Sequence, residues 1–393
     1  MKQWTCVVIG GGYAGINAVK AIKKAYKDQG GSRPLRLVLI DKNPYHFRKV
    51  LLFKPAVTND EIRVPLAKLF PAGVEMVTGG VTSIESQEKR LFYEDAQGGR
   101  HSLKYDAAVV AAGSIVRKPE ASAGGIALAS LEAAKQIKET WKANLLEAVQ
   151  QSDPQERQRL LTIAIGGAGI SGIETAAELA YYVRKDAEGM GLDPNAVRIQ
   201  LYNAGERLFP EGPAKVGVKL ERALAAKGIA VVHRTKIVHE KNGSLALSNG
   251  NTARTGLCVW TLGLLPNPKL KEMGLPLTPD DHILVDACYR VRHADALYSI
   301  GDCARIIDPV SGLADGKTCK EATGQAARLA KVMMADLTGQ PAPEHKRFMD
   351  FFCIGLGPGQ GMAWTRQWGV DMIMTGRLGA RLRTFTWNSA SLQ

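Results

Sequence analysis

The sequence predicts an α/β protein built from two Rossmann-like dinucleotide-binding units, followed by a short C-terminal region. Three observations carry that expectation. From residue 4 to Asp41 an apolar run, a glycine-rich turn, a helical pattern and a second apolar run follow one another. The same succession returns between Leu161 and Asn203. Each unit is followed, much later, by an apolar run ending in glycine, at Gly113 and at Gly263.

WTCVVI at residues 4–9 is continuously apolar, the pattern of a strand covered on both faces of a parallel sheet. GGGYAG follows, then INAVKAIKKAY, whose spacing predicts a helix with Lys20, Lys23, Lys24 and Lys27 on its wet side. KDQGGSRP is a turn cluster, and LRLVLID is a second buried strand ending in Asp41. Residues 74–105 read as short strands and turns, and YDAAVVAAGS as a strand ending in glycine. Residues 130–159 are helical and polar, with a Ser-Asp-Pro break. LTIAI, GGAGISG, IETAAELAYYVRK and VRIQLYN then repeat the first unit. Residues 216–262 contain a helix, short strands and CVWTLG; residues 283–300 lead to LYSIGDCA; residues 319–336 are helical. The expected organisation is a first unit in two parts (1–118 and 276–340), a helical connection (119–159), a second unit (160–275) and a C-terminal interface or membrane-facing region (341–393).

A chain of 393 residues has room for two or three domains with sizeable cores. No stretch approaches the roughly 20 apolar residues of a membrane span, and the N-terminus does not resemble a secretory signal, so a cytoplasmic location is expected. The six cysteines, at 6, 258, 288, 303, 319 and 353, form no C-x-x-C pair, which argues against a zinc site or a redox disulfide; no metal is expected. The net charge of +13 suits anionic ligands or a membrane surface, and no nucleic-acid motif accompanies it.

Gly10-x-Gly12-x-x-Gly15, with Tyr13 and Ala14 inside it, matches the dinucleotide fingerprint. The first glycine makes the tight turn, the second admits the pyrophosphate, and the third lets helix and strand pack closely. Phosphates then meet free N–H groups and the positive end of a helix. Asp41, with Lys42 next to it, ends the following strand, where a carboxylate hydrogen-bonds ribose hydroxyls; the separation exceeds the typical ~20 residues, the surplus falling in the Asp28–Pro34 loop. The second turn repeats the pattern in Gly167, Gly169, Ile170, Ser171 and Gly172, but its next strand ends in Asn203. An acid there would repel a ribose 2′-phosphate. Asparagine would not, and Arg207 lies four residues on, which favours NADPH or tolerance of both NADPH and NADH. Two dinucleotides in one chain suit hydride transfer from a nicotinamide to a flavin. Gly301-Asp302 follows a strand, where the acid is placed to hold a polyol chain.

VVIGGGYAG, LIDKNPYHF, VVAAGS, GGAGISGIE, VWTLG and SIGDCA occur in the order seen in two-domain flavin reductases of the pyridine nucleotide-disulfide reductase type. Over roughly residues 4–370 the chain most resembles the type II NADH dehydrogenases, which are NADH:quinone oxidoreductases, and is similar also to the ferroptosis-suppressor flavoproteins. The resemblance implies FAD on the first turn, with Asp41 on the adenosine ribose and Asp302 on the ribityl chain, and NAD(P)H on the second. It implies further cofactor contacts at Val81, Ala112, Gly113, Gly263 and Gly301, and places Glu174 near nicotinamide and flavin, where it would help couple proton and hydride transfer. His46, in NPYHF, sits where the family chain runs toward the flavin ring; His46, Lys49 or Lys54 would contact that ring or stabilise its reduced anion.

Family quinone sites carry A-Q-x-A-x-Q on the helix after the Gly-Asp motif. Here Lys320 and Gly324 stand where the glutamines would be, so Lys320 would face the flavin edge or an anionic acceptor. Residues 42–60 lack the cysteine pair of disulfide reductases, and Cys353 finds no partner within 100–200 for sulfide:quinone chemistry. The implied activity is an oxidoreductase passing electrons from NAD(P)H through FAD to a quinone or other small electron acceptor. A soluble flavin reductase serving a small redox protein, a metabolite or oxygen, and a non-catalytic NADH sensor, are the alternatives. Residues 362–393 hold Trp364, Trp368, Trp387, Arg377, Arg381 and Arg383, which suit an interfacial belt. Two readings stay open: peripheral docking on the inner face of the cell membrane or a homodimer surface, and a cap closing the flavin site.

Overall fold

The structure is a computed structural model and describes residues 3–29 and 33–393; part of the expected turn at 27–34 lies outside the described residues. The principal strands are β1 (Trp4–Ile9), β2 (Leu35–Asp41), β3 (Glu75–Thr78), β4 (Ala107–Val110), β5 (Ile126–Ala127), β6 (Thr162–Gly166), β7 (Arg198–Tyr202), β8 (Ile229–Val232), β9 (Leu257–Trp260), β10 (Leu297–Ser299), β11 (Phe351–Gly355), β12 (Gly361–Gln367) and β13 (Val370–Thr375). The principal helices are α1 (Tyr13–Asp28), α2 (Leu131–Gln150), α3 (Ile170–Gly189), α4 (Ala214–Ala225), α5 (Cys319–Thr338) and α6 (Gly376–Ala390).

Two five-stranded parallel sheets form the framework, in the orders β10-β4-β1-β2-β3 and β5-β9-β6-β7-β8. The central strand of each, β1 or β6, has a neighbour on both sides and helices over its faces. All its side chains but Thr5 are therefore inside, which is why these runs are continuously apolar rather than alternating; Val7, Val8 and Ile165 have no exposed surface. The duplication goes further than the glycine turns. Each unit also inserts a three-stranded antiparallel meander between its third and fourth strands, at residues 80–104 and 237–254. The outer strands differ in origin: β10, from beyond the second unit, completes the first sheet, while β5, just ahead of α2, completes the second.

The polar helical stretch is α2, started by Ser130, whose hydroxyl accepts from Ala133 N–H at 3.2 Å. Its inner side buries Trp141, whose Nε1–H donates to Ala56 O at 2.9 Å. Immediately after Gly113 and Gly263, Ser114–Val116 pairs antiparallel with Leu264–Pro266, so a two-stranded ribbon fastens the ends of β4 and β9 to each other.

The C-terminal residues form an antiparallel sheet, β11-β12-β13, backed by α6. One sheet face, carrying Phe352, Ile354, Met362 and Trp364, joins the hydrophobic core of the second unit. On the other face α6 lies close, because Gly379 and Gly361 meet backbone to backbone; a Cβ on Gly379 would stand 2.4 Å from Gly361 O. This divides the expected interfacial belt. Trp364 is buried and donates to Asp371 at 2.9 Å, Arg383 is buried, and Trp387 is half-buried against Phe53. Trp364 sits on the inward parity of its strand, and Arg383 and Trp387 on the inward face of a helix, so period rather than composition decides where they point. Trp368, 91% exposed at the β12–β13 turn, and Arg377 and Arg381 remain outside. No helix among the described residues is long and apolar enough to cross a membrane.

Candidate functional site: two glycine turns and the space between them

The two turns are built alike. Gly10 and Gly167 have φ of +110° and +113°, which a side chain would strain. Their N–H groups donate to Ile40 O at 2.8 Å and Tyr202 O at 3.1 Å, pinning each turn to the neighbouring strand. A Cβ on Gly15 would stand 1.7 Å from Gly10 O, and one on Gly172 1.9 Å from Gly167 O, so only glycine lets each helix start this close to its strand. Gly12 and Gly169 begin α1 and α3 with no side-chain cap and no acid in the first turn, and nothing stands within 4 Å of where their Cβ atoms would be. Free N–H donors, a positive helix end and open space are what a pyrophosphate needs. Ala14 is buried beneath the first turn, while Ile170 and Ser171 are exposed on the second.

The strand ends differ. Asp41 accepts from Gly11 N–H at 2.6 Å and Asn43 N–H at 2.7 Å, so its carboxylate lies against the first turn; burial, partly offset by these bonds, raises its pKa. Lys42 beside it is exposed. Val81 lies near this end, past Gly79, whose N–H donates to Asp41 O at 2.9 Å, and its own side chain is in the core. Asn203 folds its own loop: its amide nitrogen meets Arg207 O at 3.1 Å and His233 Nδ1 at 2.9 Å. Arg207 does not face outward. Its guanidinium donates to the carbonyls of Phe209, Pro210 and Gly212 at 3.1, 2.7 and 2.9 Å, acceptors left over in a non-helical segment.

Lys49, Ser114 and Asp302 come together from three distant stretches. Lys49 Nζ donates to Ser114 Oγ at 2.7 Å and lies 3.8 Å from Asp302 Oδ2, and Ser114 Oγ donates to the same carboxylate at 2.6 Å. Burial lowers the Lys49 pKa against the opposing pull of Asp302. Gly301 N–H is held by Gln325 Oε1 at 2.8 Å, and Ala112 O accepts from Asn267 at 3.2 Å, which fixes the chain on either side. Gly113 and Gly263 both have positive φ at the ends of the joining ribbon.

His46 is placed under the phosphate turn. Its ring is buried, edge-on to Tyr13 at 4.7 Å, and Nδ1 lies 2.9 Å from Gly11 O; that carbonyl only accepts, so the proton sits on Nδ1. Among the described residues Nε2 has no partner, nor does the Tyr13 hydroxyl. Burial pushes the His46 pKa down from 6.5 to about 4. Lys54 is turned to Glu178 at 2.6 Å.

Glu174 is buried, and both its oxygens are taken: Arg383 Nε at 2.8 Å and Gly355 N–H at 2.8 Å on Oε1, and Arg383 Nη2 at 3.0 Å on Oε2. Burial works against the Arg383 charge, but Glu174 outweighs it and holds the guanidinium above its ordinary pKa. The same guanidinium lies over Trp387, 4.9 Å from the ring centre, and meets Cys353 Sγ at 3.6 Å. Lys320, at the start of α5, donates to Phe351 O and lies 4.7 and 5.7 Å from the ring centres of Phe351 and Phe348. Burial lowers its pKa. Gly324 lies one turn on, against Phe348.

A family model described as pyridine nucleotide-disulphide oxidoreductase matches residues 4–326. The chain belongs to that family. It is 24% identical to an NADH dehydrogenase-like protein of Bacillus subtilis, over 86% of this chain and 85% of the relative. It is 25% identical to a type II NADH:quinone oxidoreductase of Mycobacterium tuberculosis, over 89% and 76%. Its fold is similar to that of NDH2 from Plasmodium falciparum, solved in complex with NADH, with a TM-score of 0.81 at 14% identity over 100% of this chain and 97% of that one.

Within this member of the family, Ser114, Gln325 and Arg383 are the site residues that sequence reasoning missed. Ser114 had a signal, since it directly follows the Gly113 strand end. Thr318-x-x-Glu321 is a capping box that fixes where α5 begins, and so where Lys320 and Gln325 point. Arg383 had none, because its partner is 209 positions away.

Removing one member of a buried ion pair strands the other, typically at about 3–5 kcal/mol. Arg383→Ala is expected to lose about that much stability in denaturant titrations, and adding Glu174→Gln should restore at least half; a loss below ~1 kcal/mol would contradict the buried pair. For His46 the folded pKa lies below the unfolded one, so the unfolded chain takes up a proton between pH 6.5 and about 4 that the folded chain refuses. Stability is expected to fall as pH falls through that window, by up to ~3 kcal/mol, and this contribution to levelling off below it. The slope should flatten in His46→Gln; equal slopes in the two proteins would remove His46 as the cause.

Proposed function

We propose that this chain is an FAD-dependent NADH dehydrogenase delivering electrons to a quinone-like acceptor. The observation that carries the reading is the pair of equivalent, uncapped glycine turns on two parallel sheets whose strand ends are fastened by one ribbon. The name of the Mycobacterium tuberculosis relative agrees with it. The residues fit FAD at the first turn: Gly10–Gly15 for the pyrophosphate, Asp41 for the ribose, and Asp302, Ser114 and Lys49 for the ribityl chain and ring edge. When bound, FAD supplies two-electron exchange between a nicotinamide and a second acceptor.

The protein contributes position and charge. Lys49 places a half-buried cation where negative charge would gather. Glu174, held by Arg383 and by Gly355 N–H, ties α6 to the start of α3 and shapes the nicotinamide side. Lys320, whose ammonium is disfavoured by burial, is the group at the α5 end able to release a proton from Nζ toward an acceptor oxygen. Phe348 and Phe351 give that place aromatic walls. For the second turn the reading is NADH: Arg207 is spent on backbone carbonyls, and Glu206, paired with Arg234 at 3.0 Å, puts an acid on this loop.

Exposed apolar side chains support a peripheral membrane contact. Val310 is 93% exposed and Met349 57%, and Leu378 and Phe385 flank Arg381 on the outer side of α6.

The purified chain should take up FAD and turn over NADH with menadione or a ubiquinone analogue, with kcat/KM for NADH at least ~10-fold above NADPH, about 1.4 kcal/mol. Lys320→Met should cut quinone turnover ~10-fold and ferricyanide turnover far less. A chain that takes up no FAD overturns the whole reading; a preference for NADPH overturns its nicotinamide half. Anionic vesicles at low salt should co-sediment the protein, and Val310→Glu with Phe385→Glu should release it; no binding by the unaltered chain would sink the membrane contact.

A further inference from the structure

A groove of about 1030 Å³ lies between α4 and the C-terminal sheet. It shares no residue with the glycine turns, with Lys49, Ser114 and Asp302, or with the surroundings of Lys320. The sheet rests on α3 and Phe209, and the space between β13 and α4 is crossed by the Lys215–Asp371 ion pair. Helix α4 buries Val216, Gly217, Leu220 and Leu224 against its own unit, and turns its other side to the sheet.

The groove has a chemical polarity. Val218, Ala223 and Ala226 on the helix side face Ile373 on the sheet, an apolar floor beneath which Leu356 and Met362 are buried. Lys215, Lys219, Arg222 and Lys227 line the helix side. Lys215 is committed to Asp371 at 2.9 Å. Among the described residues Lys219, Arg222 and Lys227 make no ion pair, and burial lowers the Lys227 pKa. Three cations outside any ion pair, with Glu178 acting on Lys227 only from a distance, stand beside an apolar wedge and are complementary to one kind of ligand, a chain with an anionic head. A soluble phosphate would leave the floor wet, and a neutral chain would leave the cations without counter-charge.

We infer that this groove binds a long-chain fatty acid anion. Its chain lies on Val218, Ala223, Ala226 and Ile373, and its carboxylate meets Lys219, Arg222 and Lys227. Because the two walls belong to the second unit and to the C-terminal sheet, the ligand bridges them and stabilises their packing.

The test uses the FAD-loaded full chain and oleate below its micellar concentration, followed by calorimetry and thermal unfolding. Saturable one-to-one binding is expected, with a rise in Tm. Lys219→Glu with Arg222→Glu should weaken it at least ~10-fold, and oleyl alcohol should bind the unaltered protein at least ~10-fold more weakly than oleate. If the double charge reversal fails to fold, Arg222→Gln carries the same comparison with a smaller expected loss. Equal binding of the alcohol, indifference to both charge variants, competition by NADH or menadione, or binding only to anionic vesicles would each overturn the assignment. The redox proposal would survive any of these, because no groove residue takes part in it.

Discussion

The closeness of a helix start to a strand end governs the rest of the molecule. At Gly15 and Gly172 the helix backbone comes so near the turn that a methyl group would overlap a carbonyl oxygen at 1.7 and 1.9 Å. That approach aims the free N–H groups of α1 and α3 outward from the sheets, and it is repeated with nearly the same φ at Gly10 and Gly167. With both turns set, the joining ribbon and the Lys49, Ser114 and Asp302 contacts follow as ways of fixing what lies between them. Two sheets of the same strand order make the site two-sided by construction.

The C-terminal segment adds a third wall, held by electrostatics where the first two are held by packing. Arg383 reaches Glu174 in a setting that excludes water from both, so neither charge is tolerable without the other. The pair ties the last helix of the chain to the start of α3. Gly361 and Gly379 supply the close approach that makes this reach possible. The carboxylate that family resemblance assigns to proton coupling is also a fastening point, bonded to Arg383 and to Gly355 N–H.

Much of the framework was legible in the sequence because it rests on local rules. Continuous apolar runs mark doubly covered strands, glycine spacing marks the turns, and Asp41 and Asn203 mark the strand ends. The meanders at 80–104 and 237–254 were not legible as a second layer of the duplication, since short half-exposed strands alternate weakly and turn residues interrupt them. Lys49 and Asp302 could be nominated separately, but nothing local says that Ser114 joins them. Arg207 and the inward residues Trp364, Arg383 and Trp387 were read from residue type, whereas their direction is set by loop carbonyls, strand parity and helix face. Contacts between residues hundreds of positions apart leave no periodic trace.

The outer strands have a consequence for how the chain is made. The second sheet draws all its strands from residues 126–260, so it is complete as one continuous piece. The first is not: β4 keeps an open parallel edge until Leu297–Ser299 arrives beside it. On a ribosome, the first unit must wait with one edge of an apolar strand unpaired while the whole second unit is synthesised and folds. The second unit is thus an insertion that its host has to outlast, and the open edge of Ala107–Val110 is the place where a nascent chain is most exposed to pairing with the wrong partner.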